Sequence, residues 1–189
     1  SARCNEENWS AAIPVLERAY ALHQERLFRI GEVLTLAYLA RARLGAGDAA
    51  GARAAADEAL TLAAQRGLWF GAVEARVARA RARLHEGGTA LVSAIEQDLA
   101  AADALVTRTG ERMAAPLILL ARAELAERLG NREAGQRHLR EAQRLYVEMG
   151  ATGHAERLSR QLSAASPQPG EKAKEKRSER KGQGRKGKK

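Results

Sequence analysis

The chain predicts an all-α protein: a right-handed solenoid of stacked helical hairpins, seven to eight helices long, followed by a disordered basic tail. Three observations predict it. Alanine occupies 41 of 189 positions and aromatics only 4%, a composition that favours helices packed closely around small side chains. Apolar residues recur at i, i+3 and i+4 in one segment after another. Matching positions return at intervals of about 40 residues, with two helices in each interval, as in a helical repeat array.

Charge divides the chain. Residues 1–166 hold 22 Lys and Arg against 20 Asp and Glu, whereas residues 167–189 hold 10 against 3, and every lysine lies in that second stretch. Such a contrast predicts a frayed start at 1–8, a folded body at 9–166 and a solvated tail at 167–189. One cysteine, Cys4, permits no intrachain disulfide and fits a reducing, cytoplasmic setting. No apolar run approaches the ~18 residues of a membrane span. The chain opens on Ser without a visible signal peptide, which reads as a piece of a longer product.

The first helix is expected over about Trp9–Phe28, with Leu16, Ala19/Tyr20, His23 and Leu27 on one face and Pro14 in its first turn. The second runs from about Glu32 to Leu44 on a stripe of Val33, Leu36/Ala37, Ala40 and Leu44, and ends at Gly45-Ala46-Gly47. Asp48 caps the third, about Ala49–Arg66, whose apolar side is largely alanine, and Gly67 ends it. The fourth, about Leu68–His85, carries Trp69/Phe70, Val73, Val77, Ala80 and Leu84, with Arg76, Arg79, Arg81 and Arg83 as its outer face. Thr89 is expected to cap the fifth, about Ala90–Thr109. The sixth spans about Met113–Leu129, with Pro116 near its start. The seventh has the clearest pattern: Asn131 as cap, Leu139, Ala142, Leu145/Tyr146 and Met149 on one face, and Gly150 as stop. A short eighth helix, about His154–Leu162, closes the array.

The repeat shows in small residues. Ala19, Ala59, Ala102 and Ala142 each precede a leucine by three positions: Leu22, Leu62, Leu105 and Leu145. A small side chain at a fixed place lets two helices approach, and the leucine fills the space beside it. The even helices repeat Arg43-Leu44, Arg83-Leu84 and Arg128-Leu129.

Residues 128–158, Arg-Leu-Gly-Asn-Arg-Glu-Ala through Met-Gly-Ala-Thr-Gly-His-Ala-Glu-Arg-Leu, resemble the carboxyl end of large bacterial signalling proteins. In that group an ATPase module precedes tetratricopeptide-like (TPR-like) repeats, and a class III adenylate/guanylate cyclase or a Ser/Thr protein kinase forms the head. The close likeness covers about 30 residues, and a repeat-level likeness covers about 9–162. The chain departs from the tetratricopeptide pattern in its longer period and in lacking the Trp/Tyr/Pro signature. The resemblance implies a non-catalytic interaction and regulatory module that contacts a protein, a peptide or another domain of the same chain. No head-domain residue is present to carry a catalytic role.

Motifs that imitate active sites lack what their chemistry needs. Gly45-Ala46-Gly47-Asp48-Ala49-Ala50-Gly51 follows a helix, whereas a dinucleotide loop follows a strand. Gly182 to Lys188 spells most of a phosphate loop, yet Lys189 stands where Ser or Thr must hold Mg²⁺. His85-Glu86 begins a zinc-protease motif without the second His. His23, His85, His138 and His154 are scattered, and Cys4 has no recognisable base near it. Neither a catalytic group, a metal site nor a cofactor is expected.

Two sets of cations remain. Arg43, Arg83 and Arg128 read either as a ladder on the inner curve for a partner's carboxylates or as complements to helix carboxyl ends. The tail carries Lys172, Lys174, Lys176, Arg177, Arg180, Lys181, Arg185, Lys186, Lys188 and Lys189 without an aromatic among them. It reads either as a solvating tail or as a contact for nucleic acid or another anionic surface, driven by counterion release and with little base preference.

Overall fold

The computed structural model describes residues 3–165. They form α1 (Arg3–Glu25), α2 (Arg29–Gly45), α3 (Ala49–Gln65), α4 (Ala72–Gly87), α5 (Val92–Thr109), α6 (Ala115–Arg128), α7 (Arg132–Glu148) and α8 (Thr152–Ala165). Short 3-10 turns at Gly88–Leu91 and Arg112–Ala114 precede α5 and α6. No strand occurs among the described residues. The tail cations and the Cys4 side chain lie outside them.

Each helix packs on the next, and the even helices also touch each other, α2 on α4 and α4 on α6. The chain therefore builds an all-α, solenoid-like array with an inner layer of even helices and an outer layer of odd ones. Alanine makes this spacing possible. Ala52, Ala56 and Ala59 of α3 have no exposed surface, nor do Ala75 and Ala82 of α4. The matched alanines Ala59, Ala102 and Ala142 are fully covered, and Leu62, Leu105 and Leu145 are half-buried beside them. Ala19 is only half-buried, because α1 is the first helix and packs chiefly on α2, with Tyr20 reaching Glu58 of α3.

The core falls into three linked clusters. Val33, Leu36 and Leu39 of α2 meet the alanines of α3. Val73, Val77 and Leu84 of α4 meet Ile95 and Leu99 of α5 and Ile118 of α6. Leu139 and Tyr146 of α7 meet Ala155 and Leu158 of α8. Each fully covered Leu, Ile or Val contributes about 1.5–3 kcal/mol relative to exposure. His154 stacks on the Tyr146 ring at 4.8 Å and fixes the last turn.

Helix ends follow the sequence closely where a side chain makes the bond. Asp48 accepts from the Gly51 amide at 2.8 Å and Asn131 from the Ala134 amide at 3.0 Å. Four helix ends share one hydrogen-bond pattern with glycine in the left-handed conformation: Gly47, Gly67, Gly130 and Gly150. A fifth end, after α1, has the same pattern, but Leu27 stands there at φ 54°.

Several expectations are corrected. Helix α1 starts at Arg3, so Pro14 lies well inside it and not in its first turn. Pro14 is exposed, which leaves water to satisfy the carbonyl one turn before it. Trp69 and Phe70 precede α4 and are 41% and 40% exposed. Thr89 lies in the 3-10 turn, and no side chain caps α5. The Arg76–Arg83 row is no solvated face. Arg79 donates to both Asp98 oxygens and to Asp57, Arg83 donates to Asp98 at 2.6 Å, and Arg81 pairs with Glu124.

Candidate binding groove

The inner layer presents a groove lined by the four even helices, with Leu139 of α7 at one wall. Tyr38, Arg41 and Leu44 of α2 form one end, opposite Glu74, Val77 and Arg81 of α4. Leu117 and Leu120 of α6 complete a narrow cavity of about 40 Å³ there. A second cavity of about 200 Å³ shares Arg81 and Leu120 and runs on to Glu124, Arg157, Leu158 and Gln161. The two therefore form one track along α2, α4, α6 and α8.

Its floor is apolar, and Arg41, Arg81 and Arg157 stand along it with the carboxylates Glu74, Glu124 and Glu127. Arg81 and Glu124 are held together across the middle by two parallel bonds, 2.8 and 2.5 Å. Arg41 lies 5.7 Å from the Trp9 ring centre and 6.0 Å from that of Tyr38, so two aromatic faces position its guanidinium. Among the described residues neither Arg41 nor Arg157 makes a salt bridge; Arg41 faces the Glu74 carboxyl, and both guanidiniums act on the Tyr146 phenol, so each also has an acidic group near it. Burial pushes the Glu74 carboxyl above the usual carboxylate range; its own backbone amide and Arg41 oppose the shift, and Glu111 adds to it. A cation or a hydrogen-bond donor entering the track relieves that desolvation.

The structure separates the sequence-predicted arginines. Arg43 turns to the outer layer, donating to Glu17 of α1 at 2.9 Å and to the Gly51 carbonyl at 3.3 Å. Arg83 does the same toward α5, donating to Asp98 and to the Ala94 carbonyl. Arg128 is exposed at the end of α6 and makes no ion pair among the described residues. No inner ladder of Arg43, Arg83 and Arg128 forms, and Arg43 and Arg83 serve instead as ties between layers.

The groove arginines were missed although the signal is present. Both repeats read Arg-Ala-Arg-Leu, Arg41 to Leu44 and Arg81 to Leu84. Two positions are about 200° apart on a helix. The buried alanine between the arginines, Ala42 or Ala82, faces the core, so Arg41 and Arg81 turn inward to the groove and Arg43 and Arg83 outward.

A larger opening of about 450 Å³ lies between α5, α6 and α7, floored by Leu99, Leu125 and Leu129. Its guanidinium, Arg122, is bonded to Asp103. His138 at its rim is held below the usual histidine range by burial and then by Arg122 and Arg137. This opening interrupts the outer layer and does not continue along the array, so the inner groove is the better candidate for an extended ligand.

Among the described residues no three His, Cys, Asp or Glu are grouped to hold a metal ion, and no helix is long and apolar enough to cross a membrane. Comparison with protein-family models, curated proteins and solved structures finds no match to the chain.

Proposed function

We propose that this chain is a non-catalytic interaction and regulatory repeat module, the carboxyl-terminal part of a larger ATP-binding signalling protein with a cyclase or kinase head. The observation that supports a binding role is the inner track of two cavities that share Arg81 and Leu120, apolar along its floor, with Arg41 and Arg157 outside any salt bridge among the described residues. An extended segment with apolar side chains and flanking carboxylates complements it: Leu44, Val77, Leu120 and Leu158 take the apolar groups, and Arg41 and Arg157 take the acids. The segment belongs to a partner protein or to another part of the same chain, and its docking biases the attached head. The reading of the parent protein rests on the resemblance of residues 128–158.

Selection of a random peptide display library on the full chain tests the binding role. The expected peptides are acidic and apolar, and Arg41→Glu or Leu120→Asp weakens them about tenfold or more. Peptides whose binding ignores both substitutions contradict the groove. The coding region upstream tests the parent, where an ATPase module is expected.

A second reading, a nucleic-acid-associated protein, is favoured by the ten cations of residues 167–189. It requires salt-dependent binding of arbitrary DNA or RNA that is lost on removing those residues.

A further inference from the structure

Antiparallel succession places every odd-to-even turn on one edge of the array. Three consecutive turns on that edge carry exposed large apolar groups: Leu27, Phe28 and Ile30 after α1, Trp69 and Phe70 before α4, and Met113 before α6. The turns adjoin one another. Arg66 of the second turn donates to Glu32 behind the first at 2.7 Å, and Val33 and Leu34 lie against Gly71. Glu111 of the third lies close enough to Glu74 to repel its charge. The fourth turn, Met149-Gly150-Ala151, carries only a half-buried methionine, so the exposed apolar edge spans three turns.

The residue that decides the matter is Leu27. It is 64% exposed and left-handed, at a helix end where four equivalent ends use glycine. Leucine in that conformation is strained and, being exposed, gains little packing in return. A local rule broken without compensation inside the fold points to a contact outside it. The charge of that contact is also written on the edge. Glu32 holds Arg29 and Arg66 at 2.9 and 2.7 Å, whereas Arg26, Arg108 and Arg112 stand beside the apolar tips with no ion pair among the described residues, against Glu25 and Glu111.

We propose that this edge docks on an anionic lipid bilayer, the apolar tips entering the headgroup layer and Arg26, Arg108 and Arg112 meeting lipid phosphates. A line of tips suits a flat surface, where a concave groove suits a chain. Aromatic and leucine side chains partition at that depth, arginine reaches headgroups from beside them, and each cation adds to the attraction. None of the apolar tips lines the inner groove, so the two readings are tested separately.

The test is flotation of the full chain with vesicles of phosphatidylcholine containing about a quarter phosphatidylglycerol, at about 0.15 M salt. Binding is expected there and not to phosphatidylcholine alone. In a Trp9→Phe background, Trp69 emission shifts to the blue on binding. Leu27→Gly melts at a higher temperature than the parent yet binds about fivefold more weakly, a combination that a purely structural role does not give. Trp69→Ser with Met113→Ser reduces binding about tenfold. Full binding by both variants shows that the tail alone holds the vesicle and overturns the proposal, as does equal binding to neutral vesicles. A lipid-free dimer that Leu27→Gly dissolves assigns the edge to a second copy and overturns it as well.

Discussion

At the scale of single residues, buried carboxylates fix the array. Asp98, 3% exposed, accepts from Arg79 and Arg83 and stands 3.9 Å from Arg76. Asp98→Ala leaves half-buried guanidiniums without their shared anion and is expected to cost about 3–5 kcal/mol, read from urea unfolding. Glu32 is the second such group. Burial alone raises its pKa, but the hydrogen bonds from Arg66 and Arg29 outweigh burial and lower it below 4.5. Its stabilisation is therefore complete above that value and is lost as the pH falls through the lower folded value. Glu74 has the opposite sign: its raised pKa means that stability falls as the pH rises above 4.5, and the cost persists at neutral pH. Glu74→Gln is thus expected to raise the melting temperature at pH 7 while Glu32→Gln lowers it, and calorimetry of both variants checks the pair.

At the scale of elements, the sequence was legible where one residue type has one geometric use. Asp48 and Asn131 were legible as caps because a short carboxylate or amide before an apolar repeat has few other roles. Glycine stops were legible for the same reason. The start of α1 is not, because a proline reads as a first-turn residue, whereas exposure lets the interior of α1 tolerate Pro14. Trp69 and Phe70 looked like the head of an apolar row, yet the chain turns before α4 begins at Ala72 and leaves them outside. The arginine row of α4 failed differently: charge spacing on one helix does not reveal acids on α3 and α5. The alanine helix α3 yields a direct expectation. Ala59 has no exposed surface between its neighbours, so Ala59→Leu overpacks it and costs about 1–3 kcal/mol by equilibrium unfolding.

At the scale of the molecule, repetition explains both the fold and the groove. Three hairpins share the buried alanines Ala59, Ala102 and Ala142, and α2 and α4 share the end Arg-Ala-Arg-Leu, so stacking them places Arg41 and Arg81 along the inner layer and Arg43 and Arg83 between layers. The spacing near 40 residues exposed the array but not which arginine faced inward, since that depends on a rotation of two residues. In such arrays stability resides largely in contacts between neighbours. The α5–α6 junction is opened by the outer-layer cavity, and so hydrogen exchange is expected to show α6–α8 opening apart from α2–α5. Methyl NMR of the full chain with a selected acidic-apolar peptide tests the central claim most directly. The account predicts shifts at Leu44, Val77, Leu117, Leu120 and Leu158 with Leu60 and Ile95 unmoved. Shifts confined to the outer layer, or to the opening beside Leu129, contradict it.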